Sequence, residues 1–146
     1  MQQWSCQVTQ QGAALKKRME KFKELGLEGE ILKGIEDLGF EVPSPVQEKV
    51  IPVILGEEND LVALAQTGKT AAFGLPLLQK LDTSLNAIQV LILSPTRELC
   101  MQIGKDLQNY AKYRSDIRVA CVYGGADIRK QIRELDRGVH VLVATP

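Results

Sequence analysis

Apolar residues recur along the chain from Leu27 onward with two alternating spacings. Spacings of three and four residues predict helices, and short uninterrupted apolar runs predict buried strands. Helices are predicted for residues 31–38, 45–50 and beyond, 69–81, 96–113 and 128–137, and strands for 61–64, 88–93, 119–123 and 139–144. Pro52 is expected to bend the second helix or end it early. The alternation predicts an α/β fold with a mainly parallel sheet and helices on its faces.

Polar residues or glycines follow each predicted strand directly. In parallel sheets, ligands bind beyond the carboxyl ends of the strands, where loops meet helix N-termini. We therefore expect four segments to line one edge of the sheet: Thr67-Gly68-Lys69-Thr70, Pro95-Thr96-Arg97-Glu98, Gly124-Gly125 and Thr145-Pro146.

Length and charge narrow the possible functions. The 146 residues suffice for one folding unit. Eighteen basic residues balance eighteen acidic ones, which excludes a strongly basic surface, so any contact with nucleic acid must be local. Cys6, Cys100 and Cys121 contain no CxxC pair, which argues against a zinc site or disulfide framework and favours reduced thiols. His140 lies in an apolar run and is interpreted as a packing residue.

The chain has no apolar run long enough to span a membrane and no secretory signal at its start. We therefore predict a cytoplasmic protein without a membrane partner, and nothing in the sequence indicates an obligate oligomer. Residues 1–21 are predicted to form a poorly ordered leader, and residues 22–146 the domain.

Gly68-Lys69-Thr70, after an apolar run, resembles the end of a P-loop. There, backbone N–H groups surround phosphates, the lysine reaches the outer phosphates and the threonine hydroxyl binds magnesium. Three residues are a weak signal, and they could also be a chance Gly-Lys-Thr at a helix start.

Three further segments resemble motifs of the DEAD-box ATP-dependent RNA helicases. Residues 39–47, Gly-Phe-Glu-Val-Pro-Ser-Pro-Val-Gln, resemble the Q motif, with Phe22 upstream at the family spacing. Residues 94–102, Ser-Pro-Thr-Arg-Glu-Leu-Cys-Met-Gln, resemble motif Ia. Gly124-Gly125 resembles the GG element, and Thr145-Pro146 the first half of motif Ib.

The resemblance implies an incomplete RecA-like domain, a three-layer αβα fold, that uses ATP and Mg²⁺ and opens RNA duplexes locally. It implies that Phe22 stacks on adenine and Gln47 reads its edge. Lys69 and Thr70 would act in catalysis, with Thr70 also holding the metal. The remaining nucleotide contacts would come from Ala65, Gln66, Thr67 and Gly68. The implied contacts to the RNA sugar-phosphate backbone, without sequence preference, are Pro95, Thr96, Arg97, Gly124, Gly125, Thr145 and Pro146.

The phosphate loop departs from the family pattern. Helicases of this kind carry Ala-x-Thr-Gly-x-Gly-Lys-Thr, whereas residues 65–70 read Ala-Gln-Thr-Gly-Lys-Thr and are two residues shorter. The loss shortens the reach of the loop by up to about 7 Å. Either the strand keeps its place and the loop is too tight for a phosphate, or Ala63 and Leu64 leave the strand to form the loop. We predict much weakened ATP binding.

The sequence also contains no Asp-Glu-Ala-Asp motif, whose acids hold magnesium in the family. The chain is therefore expected to be a helicase fragment that is inactive alone. Two alternatives remain open. One is a remnant that grips RNA without ATP through Thr96, Arg97 and Gly125. The other is an unrelated P-loop kinase or transferase, which would leave the Q-motif string and Pro-Thr-Arg-Glu-Leu unexplained.

Overall fold

The computed structural model describes residues 19–56 and 60–146. Most of the predicted leader, residues 1–18, lies outside these ranges. Residues 19–24 are helical and Met19 is buried. The boundary predicted between residues 21 and 22 therefore falls inside a helix.

In the described residues from Gly29, three helices come first, and from Lys69 onward helices and strands alternate, as the spacing of apolar residues predicts for that part of the chain. They are α1 (Gly29–Asp37), α2 (Pro45–Leu55), α3 (Lys69–Lys80), β1 (Val90–Leu93), α4 (Arg97–Tyr110), β2 (Val119–Val122), α5 (Ile128–Asp136) and β3 (Val141–Ala144).

The three strands form a parallel sheet in the order β1-β3-β2, which confirms the predicted α/β fold. Val141 in β3 is in register with Val90 in β1 and with Val119 in β2, so all three strands end at the same edge. The connections β1-α4-β2 and β2-α5-β3 cross the sheet in opposite directions. Because such crossovers are right-handed, α4 and α5 lie on opposite faces of the sheet.

The hydrophobic core lies between the sheet and the helices on the α4 side. Helix α4 packs on β2 and β3, α3 packs on α4, and α2 packs on α3. The largest fully buried side chains of this core come from the helical layers on this side, from the segment before α1 and from β3: Phe22, Leu27, Ile31, Ile35, Ile51, Leu75, Leu78, Leu107, Val141 and Val143. Helix α5, on the other face, buries none of its residues.

The strand predicted for residues 61–64 is wrong. Residues 61–65 have no regular secondary structure, and the Val62 and Leu64 side chains are 89% and 95% exposed. A strand requires a hydrogen-bonded neighbour, and in the described part of the chain β1 pairs only with β3. An apolar run without an adjacent strand therefore stays irregular and open to solvent. The sequence predicts two conformations for the short loop, and both retain a strand before it. Neither is observed.

Pro52 does not end α2 early. The helix continues to Leu55, and the N–H of Gly56 still donates to the Pro52 carbonyl oxygen at 3.0 Å. The helix has Ser44 as its N-cap and Pro45 at its first position, where proline is favoured. The Gln47 side chain also accepts the Ser44 N–H at 2.9 Å.

Candidate nucleic-acid interface and phosphate loop

The turn after β1 presents Thr96 and Arg97 at the carboxyl edge of the sheet. Thr96 is the N-cap of α4, and its hydroxyl oxygen accepts the Leu99 N–H at 3.2 Å. The turn is tied to its surroundings by Ser94, which donates its N–H to the Ala144 oxygen at 2.8 Å and its hydroxyl to the Thr96 oxygen at 3.2 Å. The first N–H groups of α4 have no intrahelical acceptor and favour an anion.

The guanidinium of Arg97 lies directly against Gly125, which follows β2. A Cβ atom at position 125 would lie 3.0 Å from Arg97 Cζ and 3.2 Å from Nη2. Gly125 also has φ +84°, a conformation that favours glycine. The missing side chain therefore leaves room for Arg97 itself. Sequence reasoning missed this contact, since it assigned Gly125 only to the RNA backbone.

Thr145 and Pro146 end the central strand, between the other two turns. The Thr145 N–H donates to the Val122 oxygen at 3.0 Å, which continues the pairing with β2. Because β3 lies between β1 and β2, the turns that carry Pro95, Arg97, Gly125 and Thr145 adjoin one another. Three of the four predicted segments therefore converge on one edge.

Arg97 is the charged group at this edge that is free to meet an anion. Its side chain is exposed and has no carboxylate partner among the residues that the structure describes. A planar guanidinium beside open helix N–H groups matches the geometry of a phosphate. The arrangement can hold a phosphodiester but offers no group for acid-base chemistry.

The fourth segment begins α3. Gly68 is the N-cap with φ +78°, and Lys69 and Thr70 are the first two helical residues. Lys69 is exposed without an ion-pair partner in the described ranges, whereas Thr70 is half-buried. The open N–H groups of this first turn suit an anion.

The residues before Gly68 do not wrap around a phosphate position. Gln66 and Thr67 are exposed bends, and Ala65 is half-buried. Residues 61–67 instead stand away from α2 and leave a cleft of about 530 Å³ against that helix. The lining of the cleft comprises Ser44, Pro45, Val46, Lys49, Val50 and residues 61–67.

Gln47 connects α2 with the start of α3. It is only 4% exposed; its carboxamide oxygen accepts the Ser44 N–H, and its nitrogen donates to the Gly68 oxygen at 3.3 Å. A Cβ atom at position 68 would lie 2.6 Å from Ser44 Oγ and 3.3 Å from Gln47 Nε2. The Gln47 amide is therefore engaged with the protein, with one N–H remaining.

Phe22 is fully buried in the core. Its ring is 0% exposed and meets the Phe40 ring edge-on at a centroid distance of 6.2 Å. In this position the ring offers no free face for stacking. The fit of ATP and Mg²⁺ to these residues is therefore partial: Gly68, Lys69 and Thr70 suit a phosphate, but the surrounding loop and the purine-reading groups do not.

The titratable groups of the described residues form no alternative reactive centre. Burial raises the pKa of the Cys121 thiol to about 12, which makes it unreactive. His140 is buried, and its Nδ1 accepts the Arg118 N–H at 3.1 Å, so it is a packing residue with a pKa lowered by burial. Within residues 19–56 and 60–146, no side-chain cluster suits a metal ion and no helix could cross a membrane.

The fold and these turns define a parallel α/β protein that presents anion-binding groups at the carboxyl ends of its strands. A family model described as DEAD/DEAH box helicase matches residues 44–146. The chain belongs to the DEAD/DEAH-box helicase family.

Curated relatives agree with this assignment. The ATP-dependent RNA helicase CshA of Listeria monocytogenes is 48% identical over 130 residues, which cover 88% of this chain and 25% of the relative. CshA of Limosilactobacillus reuteri is also 48% identical, over 86% of this chain and 25% of the relative. The chain thus spans about a quarter of the length of these relatives.

Solved helicase structures share the fold. Dbp5 of S. cerevisiae, bound to RNA and ADP BeF3, matches with a TM-score of 0.76 and 35% identity over 86% of this chain and 32% of that one. Prp28 of Chaetomium thermophilum, bound to ADP, matches with a TM-score of 0.74 and 36% identity over 84% of this chain and 31% of that one. The predicted RecA-like class is confirmed, with the sheet incomplete in the described residues.

Proposed function

We propose that this chain forms the RNA-gripping part of an ATP-dependent RNA helicase that opens RNA duplexes locally. The supporting observation is the contact of Arg97 with Gly125, beside Thr145, at the ends of three adjacent strands. In this proposal Pro95, Thr96, Arg97, Gly124, Gly125, Thr145 and Pro146 hold the RNA backbone.

Backbone recognition explains why the proposed contacts carry no sequence preference. Guanidinium groups, hydroxyls and helix N-termini bind phosphates, which are the same in every nucleotide. The balanced charge of the chain also fits a small RNA-binding surface better than an extended basic one. We place this activity in the cytoplasm, as the free thiols of the buried Cys100 and the half-buried Cys121 favour a reducing compartment.

The part of the proposal that concerns ATP has less structural support in this chain. Lys69 would reach the outer phosphates and Thr70 would hold Mg²⁺, with Gly68, Thr67, Gln66 and Ala65 as further contacts. Gln47 has only one N–H left to offer adenine unless it releases Ser44 and Gly68, and Phe22 would have to leave the core before it could stack on a base. The chain alone is therefore expected to bind ATP weakly and not to hydrolyse it.

The RNA-binding part of the proposal is tested by measuring the RNA affinity of the 146-residue chain. Arg97→Gln should weaken binding of a single-stranded oligonucleotide, measured by fluorescence anisotropy, roughly tenfold at low salt, because one charge-assisted contact is lost. Lys105→Gln removes the same charge from an exposed residue of α4 away from the strand ends and should change nothing. Equal affinities of the two variants would contradict the proposed surface.

An ATP-independent RNA-binding remnant is the second candidate. Residues 61–67 favour it, because they line an open cleft against α2 and do not surround a phosphate position. The same anisotropy titration with and without saturating ATP and Mg²⁺ separates the two candidates. Identical RNA affinities would support the remnant, and tighter binding with ATP that Gln47→Ala abolishes would support the helicase part.

A further inference from the structure

Helix α5 and its C-cap residue, Arg137, carry a row of arginines that have no ion-pair partner among the described residues. Arg129, Arg133 and Arg137 are spaced by four residues, so they share one face and extend over about 12 Å of the helix axis. All three side chains are exposed. None has a carboxylate within ion-pair distance in the described part of the chain, although Glu134 and Asp136 belong to the same helix.

The row works against the stability of the isolated helix. Arginines four residues apart repel each other on a helix surface, although the two acidic residues of the helix, each three positions from an arginine of the row, offset part of this repulsion. The helix gains little in return, because it buries no residue. It is held mainly by Gln131, which exchanges two hydrogen bonds with the Tyr123 backbone at 2.9 and 3.2 Å, and by the N-cap Asp127, which accepts the Arg129 N–H at 2.9 Å. A row of positively charged side chains on a weakly anchored helix is suited to binding an anion from outside the protein.

The position of the row connects it with the strand-end surface. Arg129 lies four residues after Gly125, which touches the Arg97 guanidinium. The row continues from there along the face of the sheet opposite to α4. We propose that Arg129, Arg133 and Arg137 form a second contact for the RNA backbone, a track along which a strand leaving Arg97 and Gly125 continues. This inference rests on the proposed RNA binding at the strand ends.

RNA suits the row better than other polyanions. Evenly spaced guanidinium groups match a chain of evenly spaced phosphates, each of which can accept two parallel N–H bonds. An anionic membrane would need a broader apolar face beside the cations, and α5 exposes only Ile128 and Ile132. The row also adjoins the strand-end surface at Arg97, which favours the same ligand for the row and for that surface.

The test compares two triple variants of the whole chain. Arg129→Gln/Arg133→Gln/Arg137→Gln removes the row, and Lys21→Gln/Lys23→Gln/Lys105→Gln removes the same charge from exposed residues elsewhere. Binding of a single-stranded oligonucleotide is measured by anisotropy over a series of salt concentrations. The row variant should bind roughly tenfold more weakly at low salt and lose about 2 from the slope of log K against log salt, because each phosphate contact contributes about 0.7. The lysine variant should keep both values.

The outcomes separate this inference from the proposed function. If Arg97→Gln weakens RNA binding while the row variant matches the lysine variant, the track is overturned and the strand-end surface stands. If Arg97→Gln has no effect while the row variant weakens binding, the strand-end surface fails instead. Loss of binding to phosphatidylserine vesicles, with RNA affinity unchanged, would replace RNA by a membrane and overturn the inference.

Helix content and melting temperature of each variant show whether it is folded. Should the triple arginine variant unfold, Arg133→Gln alone tests the same idea. It should lower the salt slope by about 0.7. Conservative Arg133→Lys should restore the slope, because charge is retained, and an unchanged slope in Arg133→Gln would overturn the track.

Discussion

At the scale of single residues, the Arg97 guanidinium can stay at the strand ends because Gly125 has no side chain. The two residues are 28 positions apart in the chain (125 − 97) and meet because β1 and β2 flank β3. Both parts of the contact depend on Gly125: its positive φ turns the chain, and its bare Cα leaves space for the guanidinium.

Gly125→Ala should weaken RNA binding roughly tenfold, about 1.4 kcal/mol, because the methyl group displaces Arg97 and strains the turn. Gly39→Ala is the matched control. Gly39 also has a positive φ, +75°, but an added Cβ there would meet nothing within 4 Å, and the residue lies outside the proposed RNA surface. Anisotropy titrations of both variants measure the difference, and equal losses would show that the position of Arg97 does not matter.

Asp37 joins the ends of α1 and α4 at the protein surface. Its carboxylate accepts the Lys112 ammonium at 2.7 Å and the Tyr113 hydroxyl. The hydrogen bond from Lys112, followed by that from Tyr113, holds the pKa of Asp37 below its usual value. A depressed pKa in the folded state stabilises the fold above the unfolded value of about 3.9, and this stabilisation is lost as the pH falls through the folded value.

Asp37→Asn should therefore lower the melting temperature at neutral pH, and the difference from the wild type should shrink as the pH falls below about 4. Thermal melts at several pH values measure it. Asp136→Asn, at an exposed carboxylate of α5 without an ion pair among the described residues, should show no such difference. A pH-independent difference for Asp37→Asn would show that the ion pair is not its cause.

At the scale of elements, local signals predict most of what is observed. Proline at the first position of α2 and the Thr96 cap of α4 mark helix starts by short-range chemistry, which a sequence displays. The convergence of Arg97 and Gly125 on one edge also follows from parallel strands. Their contact does not, because it depends on the strand order. The strand expected for residues 61–64 failed because pairing requires a partner that an apolar run cannot reveal.

The short phosphate loop is an element whose length can be changed. Insertion of Thr-Gly between Gln66 and Thr67 restores the family spacing and should raise ATP affinity at least tenfold, because successive N–H groups can then surround a phosphate. Titration with a fluorescent ATP analogue measures the change. The same insertion combined with Lys69→Ala is the control and should lose most of the gain. No rise in affinity after insertion would show that loop length does not limit binding.

At the scale of the whole molecule, the described sheet has an open side. β1 pairs on one edge only, and its Leu91 and Leu93 side chains are 59% and 65% exposed. Unpaired apolar edge strands favour association with other chains. The α4 side of the sheet is covered by helices. The exposed apolar surface that favours association therefore lies at β1.

Leu91→Lys/Leu93→Lys should therefore reduce self-association of the isolated chain without unfolding it, since lysines on an edge strand oppose pairing. Light scattering over a range of concentrations measures the effect. Val62→Lys/Leu64→Lys is the control, because it adds the same charge at two exposed apolar residues outside the sheet. An equal reduction of self-association in both variants would show that the β1 edge does not cause the association.

The convergence of three strand ends on one RNA surface is tested most directly by amide chemical shifts of the labelled chain during titration with single-stranded RNA. The largest changes should occur together at Thr96, Arg97, Gly124, Gly125 and Thr145. Residues in the helical layers on the α4 side, such as Glu28, Gln79 and Lys80, should stay unchanged. Changes concentrated there, or binding that leaves all three strand ends unaffected, would contradict the account.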